Sequence, residues 1–581
     1  MTRLPYVTGF AKPDARGPAP KAVGKALRER APRSAHGRFT PDAGRPDAVT
    51  TVEESNAGRL PELVPIRVGR MAAGPFAFLR GTAGLMAYDL MTTPVTGIGA
   101  QICGDAHAAN FGLYGDARGK LVMDLNDFDE TLYGPWEWDL KRLVASLVLA
   151  GREAGASEEQ CREAARDAVG AYRRTMRLLA GMSAADAWHA IADEELVSHT
   201  DARDLLGTLE RVVAKARKNT SARFAAKATE EISGGGRRFV DAPPVLRRIP
   251  DAEAAAVASS LAGYLDTLPE HRLPLLARYE VQDVAFRVVG TGSVGLRSYV
   301  VLLLDHRGEP LVLQVKEARS SALTPYAEKA GFPAPAVAHE GRRIVRGQRH
   351  MQVVSDSLLG WTTVYEPHAG SGESGGDAGE QAGRGRERGR GRGRDEEWAE
   401  GPGEAWGEGH GEAWGEGRNG AWGAGRGGTG CAKRGVTWGA RPGRAWGEGL
   451  GEGEGEGETS ARWRAEGWAG ARHEGRGGGR GEGAGRPYQV RQFRNRKGSV
   501  DPTALAGGQI DDYARMTGAL LARAHAHSAD PRVVAGYCGK GEALDEALAD
   551  FAVAYADRTE ADHAELVAAI RKGRIAAETG V

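Results

Sequence analysis

Between residues 369 and 486 the chain loses the ability to build a core. Of its 84 glycines 41 lie there, and eight of its twelve tryptophans lie in the same stretch. Trp398, Trp406, Trp414 and Trp422 recur every eight residues, and Trp438 and Trp446 keep the phase. The unit approximates Ala-Trp-Gly-Glu-Gly-x-Gly-Glu, with Gly-Arg runs on either side. Fixing a glycine backbone is entropically expensive, and one large apolar side chain per unit buries too little surface to offset it. Residues 368–486 are therefore expected to form a disordered insert with folded chain on both sides. A second reading is RNA binding through the Arg-Gly runs and tryptophan faces that stack on bases. Glutamates interleaved through the repeat weaken it.

Charge narrows the partners. Lysine plus arginine number 77 and aspartate plus glutamate number 77, so no overall basic footprint argues for nucleic acid. Cys103, Cys161, Cys431 and Cys538 lack metal-site spacing and read as reduced thiols of a cytoplasmic protein. The first residues, Met-Thr-Arg-Leu-Pro-Tyr-Val-Thr, lack the apolar stretch of a secretory signal. No apolar run approaches the ~20 residues of a membrane helix. Residues 1–50, rich in Pro, Arg and Ala without a period, read as a disordered tail.

The chemistry is concentrated in residues 101–139. Gln101-Ile-Cys-Gly-Asp105-Ala-His107-Ala-Ala-Asn110 places an acid five residues before an amide. A short apolar strand follows, then Asp124-Leu-Asn-Asp127-Phe-Asp129, and Asp139 opens a helix. Phosphoryl transfer to a hydroxyl uses such groups: one carboxylate takes or orients the hydroxyl proton, while an amide oxygen and another carboxylate hold magnesium. From Asp139 the positions Leu140, Leu143, Val144, Leu147 and Val148 predict an amphipathic helix. Residues 157–181, about 185–218 and 251–267 also read as helical. The segment Arg67–Arg80, with its arginines, Phe76 and Phe78, either shapes a phosphate or substrate site or serves helix packing.

Gly104-Asp105-x-His107-x-x-Asn110 resembles the catalytic loop of the aminoglycoside phosphotransferases, members of the protein-kinase-like superfamily. In that pattern a metal-binding Asp is followed twelve residues later by a structural Asp at the head of a helix. Asp127 and Asp139 have this separation, so the resemblance implies Asp105 as catalytic group and Asn110 with Asp127 as magnesium ligands. It leaves His107 and Asp129 as auxiliary groups, with Asp124 a further candidate carboxylate. Outside residues 1–50 and 369–486 the chain also resembles a bacterial family of unknown function, domain of unknown function 2252. That family implies a kinase-like fold and no established substrate.

After Pro274 the pattern turns to strands. Gly290-x-Gly292-Ser293-x-Gly295 precedes Ser298-Tyr-Val-Val-Leu-Leu-Leu304, a turn at Asp305–Gly308, and Leu311-Val-Leu-Gln-Val-Lys316. A dinucleotide-binding fingerprint needs a helix directly after the glycines, whereas a β-branched run follows here. The arrangement looks like a kinase glycine loop with its strand lysine, the glycines admitting phosphate oxygens to backbone N–H groups and Lys316 neutralising them. A helix from about His339 to Leu359 follows, and Glu340 on it is the candidate partner of Lys316, with Gln348 as a neutral substitute. Pro487–Phe493 reads as a strand, Tyr513–His527 as a helix like the one preceding the catalytic loop in small-molecule kinases, and Leu544–Tyr555 and Ala561–Ile570 as two packing helices.

Ordinary kinases place the glycine loop before the catalytic loop. The order here is the reverse, which a circular permutation explains. The expected fold is α+β, two-lobed and protein-kinase-like: a tail (1–50), a helical lobe with the catalytic and metal loops (51–274), a strand-rich nucleotide lobe (275–367), the insert (368–486) and a hinge strand with C-terminal helices (487–581). The expected function is ATP- and magnesium-dependent phosphotransfer to an unidentified hydroxyl acceptor, a small molecule rather than a protein. Nucleotidyl transfer would suit the same fold. The competing readings are a nucleotide-binding pseudokinase or scaffold and a metal-dependent phosphoesterase; Asp105-x-His107 resembles part of the latter's ligand set, but no Gly-Asn-His segment accompanies it.

Overall fold

A computed structural model of the chain describes residues 19–192, 203–232, 236–288, 290–333, 336–365 and 485–579. The insert expected over 368–486 lies outside these residues, apart from Gly485 and Arg486. The fold is α+β, with antiparallel sheets set among helices.

The helix Trp136–Glu153 is the centre of the helical part, and its residues Trp136–Gly151 are all buried. The predicted apolar stripe faces the core, but the opposite face meets protein too. Its polar side chains turn to neighbouring loops. Glu137 accepts from the Thr96 N–H at 2.8 Å, and Lys141 donates to Thr93 Oγ1 at 2.7 Å. Ser146 Oγ accepts from the Ala108 N–H at 2.8 Å, and Arg142 donates to Asp105 at 2.6 Å. Buried polar groups are stable only when paired, so these bonds fix the loops against the helix.

Helix Glu158–Ala180 crosses helix Gly508–Ala526 closely: a Cβ on Gly518 would come within 2.1 Å of the Ala168 carbonyl oxygen. The tail expected over 1–50 is helical from residue 20. Pro20–Arg30 packs on helix Pro531–Cys538, and Arg28 and Arg33 donate to that helix's last carbonyls at Gly536, Tyr537 and Cys538, 2.6–2.8 Å away. Cations at a helix C-terminus complement its dipole. The two helices read in 544–570 are one helix, Ala543–Arg571, because Asp557-Arg-Thr-Glu560 between them contains no breaker.

The strands are β1 (Gly99–Ile102), β2 (Phe111–Gly115), β3 (Leu121–Leu125), β4 (Leu132–Pro135), β5 (Thr229–Ile232), β6 (Gly236–Phe239), β7 (Leu246–Arg248), β8 (Tyr279–Arg287), β9 (Ser298–Asp305), β10 (Pro310–Glu317), β11 (Gly360–Val364), β12 (Arg486–Gln492) and β13 (Gly498–Ser499). β1 pairs with β4, β2 lies between β3 and β13, and β5 pairs with β6. The main sheet has the order β11-β12-β10-β9-β8-β7.

The run Ser298–Leu304 shows no polar alternation because both faces of this sheet are covered. Tyr299, Val301 and Leu303, with Leu313, Val315 and Val490, pack against helix Asp251–Leu265 through Val257, Leu261 and Tyr264. Val300, Leu302, Leu304 and Val312 pack on Ala225, Ala228 and Phe239. Strand β7 and helix Asp251–Leu265 therefore belong with the sheet, which begins before the boundary expected at 274. Toward one end of this second face polar residues replace the apolar ones. Lys316 lies opposite Ser298 on β9 and Gln489 on β12, and Gln314 lies opposite Arg491.

β11 and β12 are antiparallel neighbours with Val364 opposite Arg486. The chain thus leaves and rejoins the sheet at adjacent strand ends. Among the described residues no helix is long and apolar enough to cross a membrane.

Candidate active site

Asp105 follows β1 in a tight turn. Gly104 adopts φ +78°, and a Cβ there would come within 2.4 Å of the Glu130 carbonyl oxygen, so the position before Asp105 needs glycine. The turn hangs from Asp139, in the first turn of the central helix, whose two oxygens accept from the N–H groups of Cys103 at 2.6 Å and Gly104 at 2.8 Å. His525, from helix Gly508–Ala526, reaches Asp139 Oδ2 with Nε2 at 3.2 Å, and its Nδ1 meets the Tyr172 hydroxyl at 2.9 Å.

Arg142 forks onto Asp105 Oδ1, with Nε at 2.6 Å and Nη2 at 2.5 Å. The Asp105 side chain remains 21 % exposed, and its Oδ2 lies 3.7 Å from His107 Nε2, beyond hydrogen-bond distance. Burial and the Arg80 and Arg142 charges outweigh the pull of Asp105, and the His107 imidazole falls to about 4, neutral near pH 7.

Asn110 has a different place from the one expected of a metal ligand. Its Nδ2 donates to the carbonyls of Asp105 (2.9 Å) and Asp127 (3.0 Å). Its Oδ1 accepts from the Asp127 N–H at 2.7 Å and the Asn126 N–H at 3.3 Å. Both ends of the amide are spent tying the Asp105 loop to the Asp127 loop. Asp124 is also diverted: fully buried, it pairs with Arg523 at 3.1 Å and accepts from Val353 N.

Lys316 points at the acidic turn. Its Nζ is 2.5 Å from Asp129 Oδ2 and 3.6 Å from Asp127 Oδ1. Ser293 Oγ donates to the same Asp129 oxygen at 3.2 Å, and Asp129 Oδ1 is buried without a partner. Asp129, not Glu340, is thus the close carboxylate of Lys316. Glu340 pairs with Arg343 at 2.5 Å, and Arg343 also holds the Asp129 and Thr131 carbonyls. Gln348 bonds to Gln352 and Gln489. Burial pushes the Asp127 carboxyl up, but the Lys316, Arg491 and Lys497 charges outweigh it and hold it well below the usual carboxylate range. Asp129 moves up, through burial and the Asp127 charge. Lys497, buried beside Arg491, falls to about 7.

One pocket of about 120 Å³ gathers Arg80, Asp105, His107, Asp127, Gly290, Gly292, Ser293, Gln314, Lys316 and Arg491. Gly295 closes the glycine turn from behind, its carbonyl accepting from the Leu60 N–H at 2.8 Å. Of the segment Arg67–Arg80, Arg67 serves packing, donating to Ser55, Asn56 and the Gly81 carbonyl, while Arg80 reaches the pocket. Sequence reasoning passed over Arg142, Gln314 and Arg491. Their signal was present: polar residues at alternate positions of strands whose other side is apolar, and an arginine inside a buried helix. Cys103, Cys161 and Cys538 are free and buried; Cys431 lies outside the described residues. Burial, then the Asp139 charge, pushes the Cys103 thiol well up, so it is no nucleophile.

The sequence profile of DUF2252, described as an uncharacterized protein conserved in bacteria, matches residues 59–369 and 477–569. The chain belongs to this family. Every pocket-lining residue lies within the DUF2252 match, as do both strands that flank the insert. No curated protein and no solved structure matches the chain. Among the described residues no group of three or more His, Cys, Asp or Glu side chains is arranged to hold a metal ion. A two-metal phosphoesterase site would need such a group, so nothing in the geometry favours that reading. Magnesium on a nucleotide asks for less, one or two carboxylates with phosphate and water supplying the rest. Asp127 and Asp129 fit it: both are oxygen donors beside Lys316, and Asp129 Oδ1 has no partner.

Proposed function

We propose that this protein is a phosphotransferase with a circularly permuted kinase-like fold, moving the terminal phosphoryl group of ATP to a hydroxyl of a small molecule. The carrying observation is convergence. A carboxylate with one free oxygen, a second carboxylate at Asp127, a strand lysine and a glycine turn, drawn from distant parts of the chain, line one pocket, and Asp129 stands beside the lysine. The lysine stands on the third strand counted from the one entering the glycine turn, the placement seen in kinases. In this reading the turn at Gly290–Ser293 and Lys316 receive the nucleotide phosphates. Asp127 and Asp129 would hold magnesium, whose charge neutralises phosphate oxygens. Asp105 Oδ2 orients the acceptor hydroxyl and takes its proton. The hydroxyl oxygen bonds to the terminal phosphorus, the bond to the bridging oxygen breaks, and ADP departs with that electron pair.

The test is thermal stabilisation of the full chain by ATP with magnesium, compared with Asp127→Ala and Lys316→Ala. The wild type should gain stability by mass action and the variants should not. A folded wild type that gains nothing rules the reading out. A second reading, a nucleotide-binding scaffold, is favoured by one feature, the Asn110 amide whose oxygen is already occupied. It requires the same stabilisation without turnover on any acceptor.

A further inference from the structure

Lys316, Arg142 and Arg491 are each engaged, whereas Arg80, which lines the same pocket, is not. Lys316 is held by Asp129, Arg142 by Asp105 and the Leu79 carbonyl, and Arg491 donates to Gln314 Oε1 at 2.9 Å. Arg80 makes no hydrogen bond or ion pair among the described residues, and its Nε is buried without a partner. A guanidinium is always charged and offers five donors in a fixed fork. Leaving those donors unmet in a half-buried place is unfavourable unless an anion arrives to meet them.

The position of Arg80 indicates which anion. It stands at the end of helix Pro75–Gly81, and its carbonyl oxygen would be 3.8 Å from a Cβ on Gly292, so its backbone borders the glycine turn. Its side chain shares the pocket with Asp105 and His107, the wall where an acceptor hydroxyl would approach. Phe76, on the same helix, packs edge-on against His107, with ring centroids 6.2 Å apart, and so ties this helix to the Asp105 loop. Arg80 thus adjoins both the phosphate side and the acceptor side.

We propose that Arg80 is a catalytic residue that clamps the phosphoryl group in transit, an arginine finger supplied from within the chain. The proposal rests on the phosphotransferase reading and adds a role that reading does not contain. As the acceptor oxygen bonds to the terminal phosphorus and the bridging oxygen leaves with its electron pair, charge spreads over the equatorial oxygens. A bidentate guanidinium stabilises that charge. Asp105 takes the hydroxyl proton, and Arg80 neither gains nor loses one.

Binding tests this without a known acceptor, because ATP carries the terminal phosphate and ADP does not. Affinities for magnesium-ATP and magnesium-ADP are measured by calorimetry on the full chain and on Arg80→Gln and Arg80→Lys. The wild type should prefer ATP. Arg80→Gln should weaken ATP binding about ten- to a hundredfold and leave ADP within about twofold, as for a lost charge-assisted contact. Arg80→Lys should fall between. If Arg80→Gln melts earlier without ligand, the same ratio is read from Arg80→Lys. Equal loss for both nucleotides, no loss for either, or a wild type indifferent to the terminal phosphate overturns the role of Arg80 while the phosphotransferase reading stands. A wild type that binds neither nucleotide removes that reading, and this one with it.

Discussion

Asp105 has one oxygen committed and one free. Arg142 occupies Oδ1 through two donors, so an incoming hydroxyl can meet only Oδ2. Asp105→Asn should therefore lower turnover by about a hundred- to ten-thousandfold, the range of a lost general base, with nucleotide affinity within about twofold. Single-turnover kinetics beside calorimetry checks this, and undiminished turnover would dismiss Asp105. Two buried histidines set an acid limit. Burial lowers His36 to about 3 and His107 to about 4, against about 6.5 when unfolded. The folded state binds fewer protons than the unfolded state between these values, so stability is full above pH 6.5 and falls as pH drops toward the folded values. At pH 5 each histidine should have cost about 2 kcal/mol relative to pH 7. Urea midpoints at both pH values measure it. His36→Gln and His107→Gln, which cannot take up the proton, should each lose about 2 kcal/mol less over the interval; an unchanged pH slope refutes the assignment.

Elements meet here through absent side chains and hidden polar ones. Gly518→Ala places a methyl against the Ala168 carbonyl, forcing apart the two longest-packed helices beside the site. The usual helix-propensity gain of about 1 kcal/mol should be overturned into a net loss of about 1–3 kcal/mol, seen as a lower denaturant midpoint. A gain would mean that the crossing can relax. The elements themselves were largely legible. The short strand that presents Asp127, β3, and the β9–β10 hairpin that presents Lys316 stand within a residue or two of where pattern and turn chemistry put them, whereas β2, which pairs with β3, was not read from the sequence. What periodicity could not reveal was which polar faces turn inward. The helix Trp136–Glu153 reads as amphipathic, but its polar face holds the Asp105 loop rather than water. Asp and Asn spacing could not show that the Asn110 amide closes on backbone, because local sequence does not say which lone pairs a neighbouring loop will consume. Glu340 looked like the lysine's partner because it opens the right helix; its own Arg343, one turn on, claims it. In the first fifty residues aperiodic Arg and Ala concealed a helix whose contacts lie at the far end of the chain.

At the scale of the molecule, the insert springs from a hairpin. With Val364 paired to Arg486, its two ends are held at neighbouring strand ends whatever its length. For an insert of the disordered kind that its composition predicts, replacing about 120 residues by a four-residue turn relieves about 3 kcal/mol of loop-closure entropy. Joining Tyr365 to Gly485 by such a turn should leave nucleotide affinity unchanged and unfolding cooperative, at equal or higher stability. A shortened chain that fails to fold would show that the insert has a structural task. The long-range contacts carry another consequence, for how the protein is made. Asp139 meets His525 across 386 residues of sequence, and the Tyr513 hydroxyl reaches the Ala108 carbonyl across 405. At roughly 5–20 residues per second a ribosome takes about 20 to 80 s to pass from the first of these partners to the second. Throughout that interval the acidic turn, joined from residue 316 onward by the glycine loop and the lysine, exists in the nascent chain without the helix that anchors it. Only a chain translated through His525 can close the pocket, so a prematurely terminated copy carries the reactive groups but not their geometry.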